Sequence, residues 1–381
     1  MSAPFEGRNP LARVLRGLRE DRFFQILLVG LLLLSLYAPG HISGYGSLVD
    51  WPTIAALTGL LALTKGLELS GALNRLGHML IDAMPTERSA ALALVAAAAL
   101  LSTVLTNDVA LFVVVPLTLG VCRLARMPAT KLIVFEALAV NAGSALTPIG
   151  NPQNLFLWQL GQVSFGAFIW HLLPLVVALT AALLVLTALA FDGKAIEVHD
   201  EAPPAPLDHR LLALSLALYL PFLIATDMHH AGWAVAAVLA ILLLARPGVL
   251  AQLDWGLLLV FVLMFIDLRL LAGLPVVHNA MLGLGLERPL NLYAAAIGAS
   301  QLISNVPAAI ALAEYSKDWR VIAYGVNVGG FGLMVGSLAN LIALRLSGDR
   351  RAWLSFHVYA IPALVVAAAV GYGLLFVAGL N

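Results

Sequence analysis

Between Asn141 and Asn154 the chain reads NAGSALTPIGNPQN, set inside an otherwise apolar run. Three carboxamide asparagines and a glutamine donate and accept hydrogen bonds without carrying charge, while two glycines and two prolines interrupt any helix. In hydrocarbon each unpaired backbone amide or carbonyl costs several kcal/mol, so such a break persists only where protein or a polar cavity satisfies it. A second break, NVGGFGLMVGSLAN from Asn327 to Asn340, has the same length and also begins and ends with asparagine. The chemistry these residues suit is non-covalent: holding a small polar solute or ion at a site built twice.

Further polar groups belong with these breaks. Thr106, Asn107 and Asp108 interrupt one apolar run, and Ser304 and Asn305 interrupt another. With Asn141, Asn151, Gln153, Asn154, Asn327, Ser337 and Asn340 they supply neutral donors and acceptors. Gly150 and Gly336 permit close approach or positive φ. Half-helices ending at the breaks offer unpaired N–H groups at one end and carbonyls at the other, so their N-terminal ends favour anions and their C-terminal ends favour Na⁺ or protonated groups. The competing reading is that the polar residues only repair broken backbone. Asp108 is the ionisable group at a break, with Val306 as its counterpart. An intramembrane carboxylate is a coupling-ion or proton site by default; its structural alternative is a helix cap. Glu136, Glu314, Lys65, Glu68, Asp267 and Arg269 also lie in apolar surroundings and read as structural, with Lys65 and Glu68 placed to pair and Lys65 and Arg269 able to snorkel.

Composition sets the medium. The chain has 381 residues, 61% hydrophobic and 11% charged, against roughly a quarter charged in a soluble domain. This predicts an all-α polytopic membrane protein, with no period-two alternation to support a barrel. Zero formal net charge provides no basic footprint for nucleic acid. The one cysteine, Cys122, reads as packing. No HxxxH, HExxH or Walker A spacing occurs, and no nucleophile–base pair suggests an enzyme; no cofactor is expected.

The elements that must position these groups follow in order. The Arg-rich residues 1–22 read as a cytoplasmic segment leading into an uncleaved first span, Phe23–Tyr37. Loop Ala38–Asp50 and a helix over Trp51–Leu69 come next, then an interfacial amphipathic helix over Gly71–Met84. An interrupted hairpin covers Ser89–Leu124, a broken helix Lys131–Leu160, and a further helix Phe168–Phe191. The polar, Pro-rich stretch 192–210 is a cytoplasmic linker between a first transmembrane repeat, 23–191, and a second, 211–381. The second repeat offers helices at Leu211–Thr226, Gly232–Leu244 and Trp255–Leu274. An interrupted hairpin at Pro289–Tyr315, a broken helix at Trp319–Leu346 and a last helix from Trp353 complete it.

Treating both interrupted segments as re-entrant hairpins puts sixteen of the 21 Lys and Arg on the side of the N-terminus. The positive-inside rule makes that side cytoplasmic and the C-terminus external. Asp50-Trp51 matches Asp254-Trp255, and Thr106-Asn107 matches Ser304-Asn305. Asn141, Gly143, Gly150, Asn154 and Leu155 match Asn327, Gly329, Gly336, Asn340 and Leu341 at a constant offset of 186. An odd number of crossings between the Asp-Trp pairs gives inverted-topology repeats, each with a re-entrant hairpin and a broken transmembrane helix. Secondary transporters use this plan, with binding near the midplane.

LTNDVALFVVVPLT, FEALAVNAGSALTPIGNPQNLFLW, ISNVPAAI and VNVGGFGLMVGSLANLIALR resemble the ion transporter superfamily. That group holds arsenite permeases, citrate and dicarboxylate symporters and some Na⁺/H⁺ antiporters; the chain is most similar to bacterial inner-membrane anion permeases with a citrate-transporter-like domain. The resemblance implies two hairpins and two broken helices, a homodimer in the lipid bilayer, and Na⁺ and substrate at the hairpin tips. Thr106-Asn107-Asp108 and Ser304-Asn305-Val306 depart from the Ser-Asn-Thr tips of Na⁺/dicarboxylate members. The Asn-Asp pair is more like arsenite permeases, which exchange with protons. The expected function is secondary transport of a small anion or oxyanion, coupled to H⁺ or Na⁺ through alternating access. A cation/proton antiporter and an anion channel are the rivals.

Overall fold

The computed structural model describes residues 22–37, 39–72, 75, 85–125, 129–195, 206–349 and 351–379. They are almost entirely helical: α1 (Arg22–Tyr37), α2 (Trp51–Leu69), α3 (Glu87–Val104), α4 (Asn107–Ala125), α5 (Ala129–Ser144), α6 (Pro152–Gly161), α7 (Phe165–Ala190) and α8 (His209–Asp227) lead to α9 (Ala231–Ala245) and α10 (Trp255–Ala272). Then come α11 (Pro275–Gly283), α12 (Pro289–Ile303), α13 (Asn305–Ala313), α14 (Trp319–Gly329), α15 (Leu338–Ser347) and α16 (Ala352–Tyr372). Among the described residues five helices, α3, α7, α8, α10 and α16 with its π-helical extension, are long and apolar enough to cross a membrane.

Helix starts are written locally. Asp50, Asp254 and Asp318 accept from the backbone N–H three residues on, at 3.0, 2.9 and 3.2 Å, which caps orphan donors. Thr86 and Ser89 form a reciprocal capping box at α3. In both Asp-Trp pairs the indole Nε1 donates to the carbonyl five residues upstream, Trp51 to Gly46 at 2.8 Å and Trp255 to Leu250 at 3.0 Å. The matched dipeptides thus make the same local turn.

Several expectations change in detail. The 38–50 loop contains a 3₁₀ turn, Pro39–Gly44, and a short helix, Tyr45–Leu48, that meets α2 at a 60° bend. Asn107 and Asp108 belong to the first turn of α4, so the first hairpin breaks only at Leu105-Thr106. The second breaks at Ser304 alone, with φ +73°, the left-handed region that non-glycine residues seldom enter. Helix α11 was not foreseen. The 1–22 segment except Arg22, most of the Gly71–Met84 helix, and linker residues 196–205 lie outside the described residues.

Two compact units divide the chain differently from the two halves of the sequence. The smaller is Met1–Leu69 with His209–His278; the larger is Ser70–Asp208 with Asn279–Asn381. Each half contributes to each unit. In the smaller unit α2 packs on α8 and α9, and α10 on α1. A Cβ at Gly59 would meet the Phe222 ring at 2.2 Å and one at Gly66 the Ser215 hydroxyl at 2.2 Å, the close small-residue approach by which helices associate in lipid. Lys65 pairs with Glu68 at 2.5 Å, and Arg269 donates to the Leu48 carbonyl at 2.6 Å.

In the larger unit α5 lies against α3, α4, α7, α15 and α16, while α14 lies against α12, α13, α16, α6 and α7. The two lists correspond helix for helix. Helix α6 packs on α13, and α15 packs on α4, so each short helix after a break rests on the hairpin of the other half. Gly143 would bring a Cβ to 2.0 Å from the Ala99 carbonyl, and its counterpart Gly329 to 2.4 Å from Ser300 Cβ.

Candidate functional site

All fourteen candidate site residues fall in the larger unit, at the two hairpin tips and the two breaks. The backbone N–H of Asn107 donates to the Gly150 carbonyl at 3.0 Å, tying the first tip to the first break. Gly150 is glycine for proximity: a Cβ would lie 2.3 Å from the Ser144 carbonyl and 2.7 Å from that of Ser102. Gly336 would put one 2.6 Å from the Gly329 carbonyl. Neither has positive φ.

The asparagines bond across the halves. Asn141 Nδ2 donates to Asn340 Oδ1 at 2.7 Å, and Asn327 Nδ2 donates to Asn154 Oδ1 at 2.7 Å. These two bonds interchange under the offset of 186. So do Asn340 Nδ2 to the Gly330 carbonyl at 2.9 Å and Asn154 Nδ2 to the Ser144 carbonyl at 3.3 Å. Asn141 also reaches Gly330 at 3.1 Å. Asn154 reaches the carbonyls of Ala145 at 3.0 Å and Thr147 at 3.2 Å. Asn151 donates to Asn327 Oδ1 at 3.1 Å and caps α6 through the Asn154 N–H at 2.9 Å. Ser337 caps α15 at the same position through the Ala339 N–H at 3.3 Å.

The consequence is that the carbonyl ends of α5 and α14, expected to be open, are occupied by side-chain amides. Asn141, Asn154, Asn327 and Asn340 are buried and mutually braced. Each such buried bond, once formed, is expensive to break because its partner is left unsatisfied, at about 1–3 kcal/mol. What remains uncommitted is narrower. Thr106 Oγ1 and Gln153 Oε1 are buried with no partner among the described residues. Both residues lie within three positions of the Asn107–Gly150 bond. Ser304 and Asn305 are buried at the second tip, 3.5 Å apart through Oγ and Oδ1. Asp108 occupies the second position of α4; its side chain lies outside the described ones.

The sequence reading missed four contributors. Ser144 and Gly330, whose carbonyls anchor the braces, are themselves related by the offset of 186. Thr147 donates to the Thr103 carbonyl at 2.6 Å and accepts from the Gly150 N–H at 3.1 Å. Gln301, on α12, donates to the Gly329 carbonyl at 2.6 Å and accepts from the Leu333 N–H at 2.8 Å. An isolated glutamine near the end of a helix three residues before a break was its available signal.

Comparison with known proteins agrees with this architecture. Residues 21–319 match the citrate transporter family model, which therefore takes in the first break and the second hairpin. The chain is 46% identical to "Inner membrane protein YbiR" of Escherichia coli over 381 residues, all of both chains. It is 34% identical to "Uncharacterized transporter MJ0456" of Methanocaldococcus jannaschii over 85% of this chain and 89% of that one. The crystal structure of the Alcanivorax borkumensis YdaH transporter, described as having an unusual topology, superposes with a TM-score of 0.55 at 16% identity. It covers 95% of this chain and 91% of that one, a likeness of fold alone. On the family match, the full-length relative and the paired breaks together, the chain belongs to the citrate transporter family of membrane transporters.

Proposed function

We propose that the chain is a secondary active transporter for a small anion or oxyanion, coupled to H⁺ or Na⁺ by alternating access. In this reading it is a homodimer in the bacterial inner membrane, with its N-terminus cytoplasmic and C-terminus external. Its halves are inverted repeats whose hairpins are re-entrant, and it performs no catalysis. The observation that carries the reading is the pair of unpartnered oxygens, Thr106 Oγ1 and Gln153 Oε1, beside the capped start of α6. Buried polar groups are normally hydrogen-bonded, so two orphans beside a break in a membrane protein suit a solute that supplies the missing partner. Thr106 can donate to an anion oxygen, and the α6 N-terminus adds partial positive charge. Gln153 Oε1, an acceptor, suits a hydroxyl, a protonated oxygen or the coupling cation. The matched braces argue for a carrier, because they fasten each break to the opposite half and leave the tips to the solute.

The test begins with a thermal-shift screen of purified protein against arsenite, citrate, dicarboxylates, phosphate and sulfate, followed by counterflow of the stabilising anion in proteoliposomes. No anion that both stabilises and exchanges would sink the reading. The antiporter alternative draws on Asp108 at the first tip. It predicts cation-driven proton movement without any anion, and anion counterflow indifferent to every cation gradient would exclude it. Asp108→Asn is expected to abolish proton-coupled transport while preserving the melting temperature; an unchanged pH profile would return Asp108 to a capping role.

A further inference from the structure

Away from the breaks, Glu136 is fully buried in the middle of α5. Its Oε1 accepts a hydrogen bond from Thr118 Oγ1 on α4, and its Oε2 is buried without a partner. Titratable groups on the packed helices are Glu87 and Arg88 on α3, Asp108, Cys122 and Arg123 on α4, His171 on α7, Arg345 on α15, and His357, Tyr359 and Tyr372 on α16. Of these, the Asp108 and Arg123 side chains lie outside the described ones. Arg88 is committed to the Phe191 carbonyl. Lys131, on α5 itself, is committed to the Ala190 carbonyl and the Phe191 ring. His171 bonds the Ala167 carbonyl at 2.7 Å, and His357 that of Trp353 at 2.7 Å. Cys122 lies one turn beyond Thr118 on α4, and it too is an acid. Among the described residues no cation pairs with Glu136.

An unpaired carboxylate in such surroundings costs far more than its neutral form, so the arrangement suits a carboxylic acid. A metal cation fits poorly. Hard cations take about six oxygen ligands, whereas two side chains meet here, and no group of three or more metal-ligating residues occurs among the described residues. A proton needs one oxygen. At about 1.5 Å per residue, Glu136 stands about 10 Å from the start of α5 and about 7.5 Å short of Asn141. It lies level with Thr118 on the antiparallel partner helix. At the offset of 186 its counterpart is Ile322, so only the first half carries it.

We infer that Glu136, held by Thr118 between α4 and α5, is a proton-binding site. The carboxylate takes up one proton to become the neutral acid and returns it when the α4–α5 contact opens to water. One O–H bond forms and breaks, and no other bond changes. The inference rests on the transport reading in taking this proton as the coupling ion.

Infrared difference spectroscopy of the full-length protein in lipid bilayers tests it without any substrate. Wild type is expected to show the carbonyl stretch of a protonated carboxyl at neutral pH, titrating away at alkaline pH and shifting in D₂O. Glu136→Gln should lose that band, Thr118→Val should move it to higher frequency, and Asp108→Asn should keep it. A wild-type spectrum without the band at neutral pH overturns the inference, as does a band indifferent to both pH and D₂O. A protein that exchanges no anion yet titrates at Glu136 defeats the transport reading alone. One that exchanges an anion while Glu136 stays silent defeats this inference alone.

Discussion

The two breaks share a frame and differ in what fills it. In the first, Thr147, Asn151 and Gln153 line the gap; the matched positions in the second are Leu333, Ser337 and Ala339. The first hairpin has arms of 18 and 19 residues, and the second has arms of 15 and 9. A span needs about 20 residues, with 17 as a lower bound, so neither arm of the second hairpin can cross alone. Leu333 and Val335 at the second break are 41% and 39% exposed, whereas the first break is buried almost throughout. The asparagine braces recur at both breaks, while the further polar side chains differ between them. The braced asparagines are therefore expected to report on folding, and the unpartnered Thr106 and Gln153 on transport.

The largest expected effect breaks the symmetric frame. Gly143→Ala drives a methyl into the Ala99 carbonyl, and backbone cannot yield as a side chain can. A loss of about 3 kcal/mol is expected, at the upper end of overpacking costs. Gly329→Ala meets Ser300 instead and should lose about half as much. Thermal unfolding in detergent checks both, and equal losses would remove the contrast in rigidity between the halves.

Next come the braces. Asn327→Ala strands Asn154 Oδ1 and takes an acceptor from Asn151, while Asn141→Ala strands Asn340 Oδ1. About 2–3 kcal/mol and about 1–2 kcal/mol are expected, from the cost of orphaned buried groups. Double-mutant cycles on Asn141/Asn340 and Asn327/Asn154 should return similar couplings of about 1–2 kcal/mol. A negligible coupling in either pair would mean that its amides serve the solute instead.

Gln153→Leu and Thr106→Val sharpen the other side of the comparison. Neither removes a protein partner, so melting should move by less than about 0.5 kcal/mol, while apparent affinity for the exchanged anion falls at least tenfold. A stability loss with unchanged affinity would reverse their assignment. The smallest effect belongs to Gln301→Leu. It frees the Gly329 carbonyl and Leu333 N–H, raising hydrogen exchange at residues 329–333 while unfolding shifts by about 1 kcal/mol.

Much of this frame is legible in sequence because membrane helices must satisfy their own backbone, so any polar interruption advertises itself. The Asp-Trp pairs, both breaks and the offset of 186 are visible for that reason, and the helix from Trp51 to Leu69 has the bounds expected of it. The partners of the asparagines are not visible. Periodicity reports which face of a helix is apolar, whereas Asn141 and Asn340 meet through a fold across 199 positions. Gln301 and Glu136 were hidden similarly: a lone polar residue in an apolar run looks alike whether it braces a break, sits uncharged or lines a path. The division into units cuts across the halves, and no composition change marks it at Leu69 or His278.

The crossed asparagine bonds also bear on how the chain is made. Asn141 waits for Asn340, and Asn154 for a residue 173 positions later. At about 5–20 residues per second of synthesis, the first half spends roughly 10–40 s without its cross-half asparagine partners. During that interval Asn154 Nδ2 can already hold the Ser144, Ala145 and Thr147 carbonyls, whereas both partners of Asn141 Nδ2, Asn340 and the Gly330 carbonyl, are still to be made. Both cross-half bonds therefore belong to the late part of synthesis, after Asn327 and Asn340 have been made.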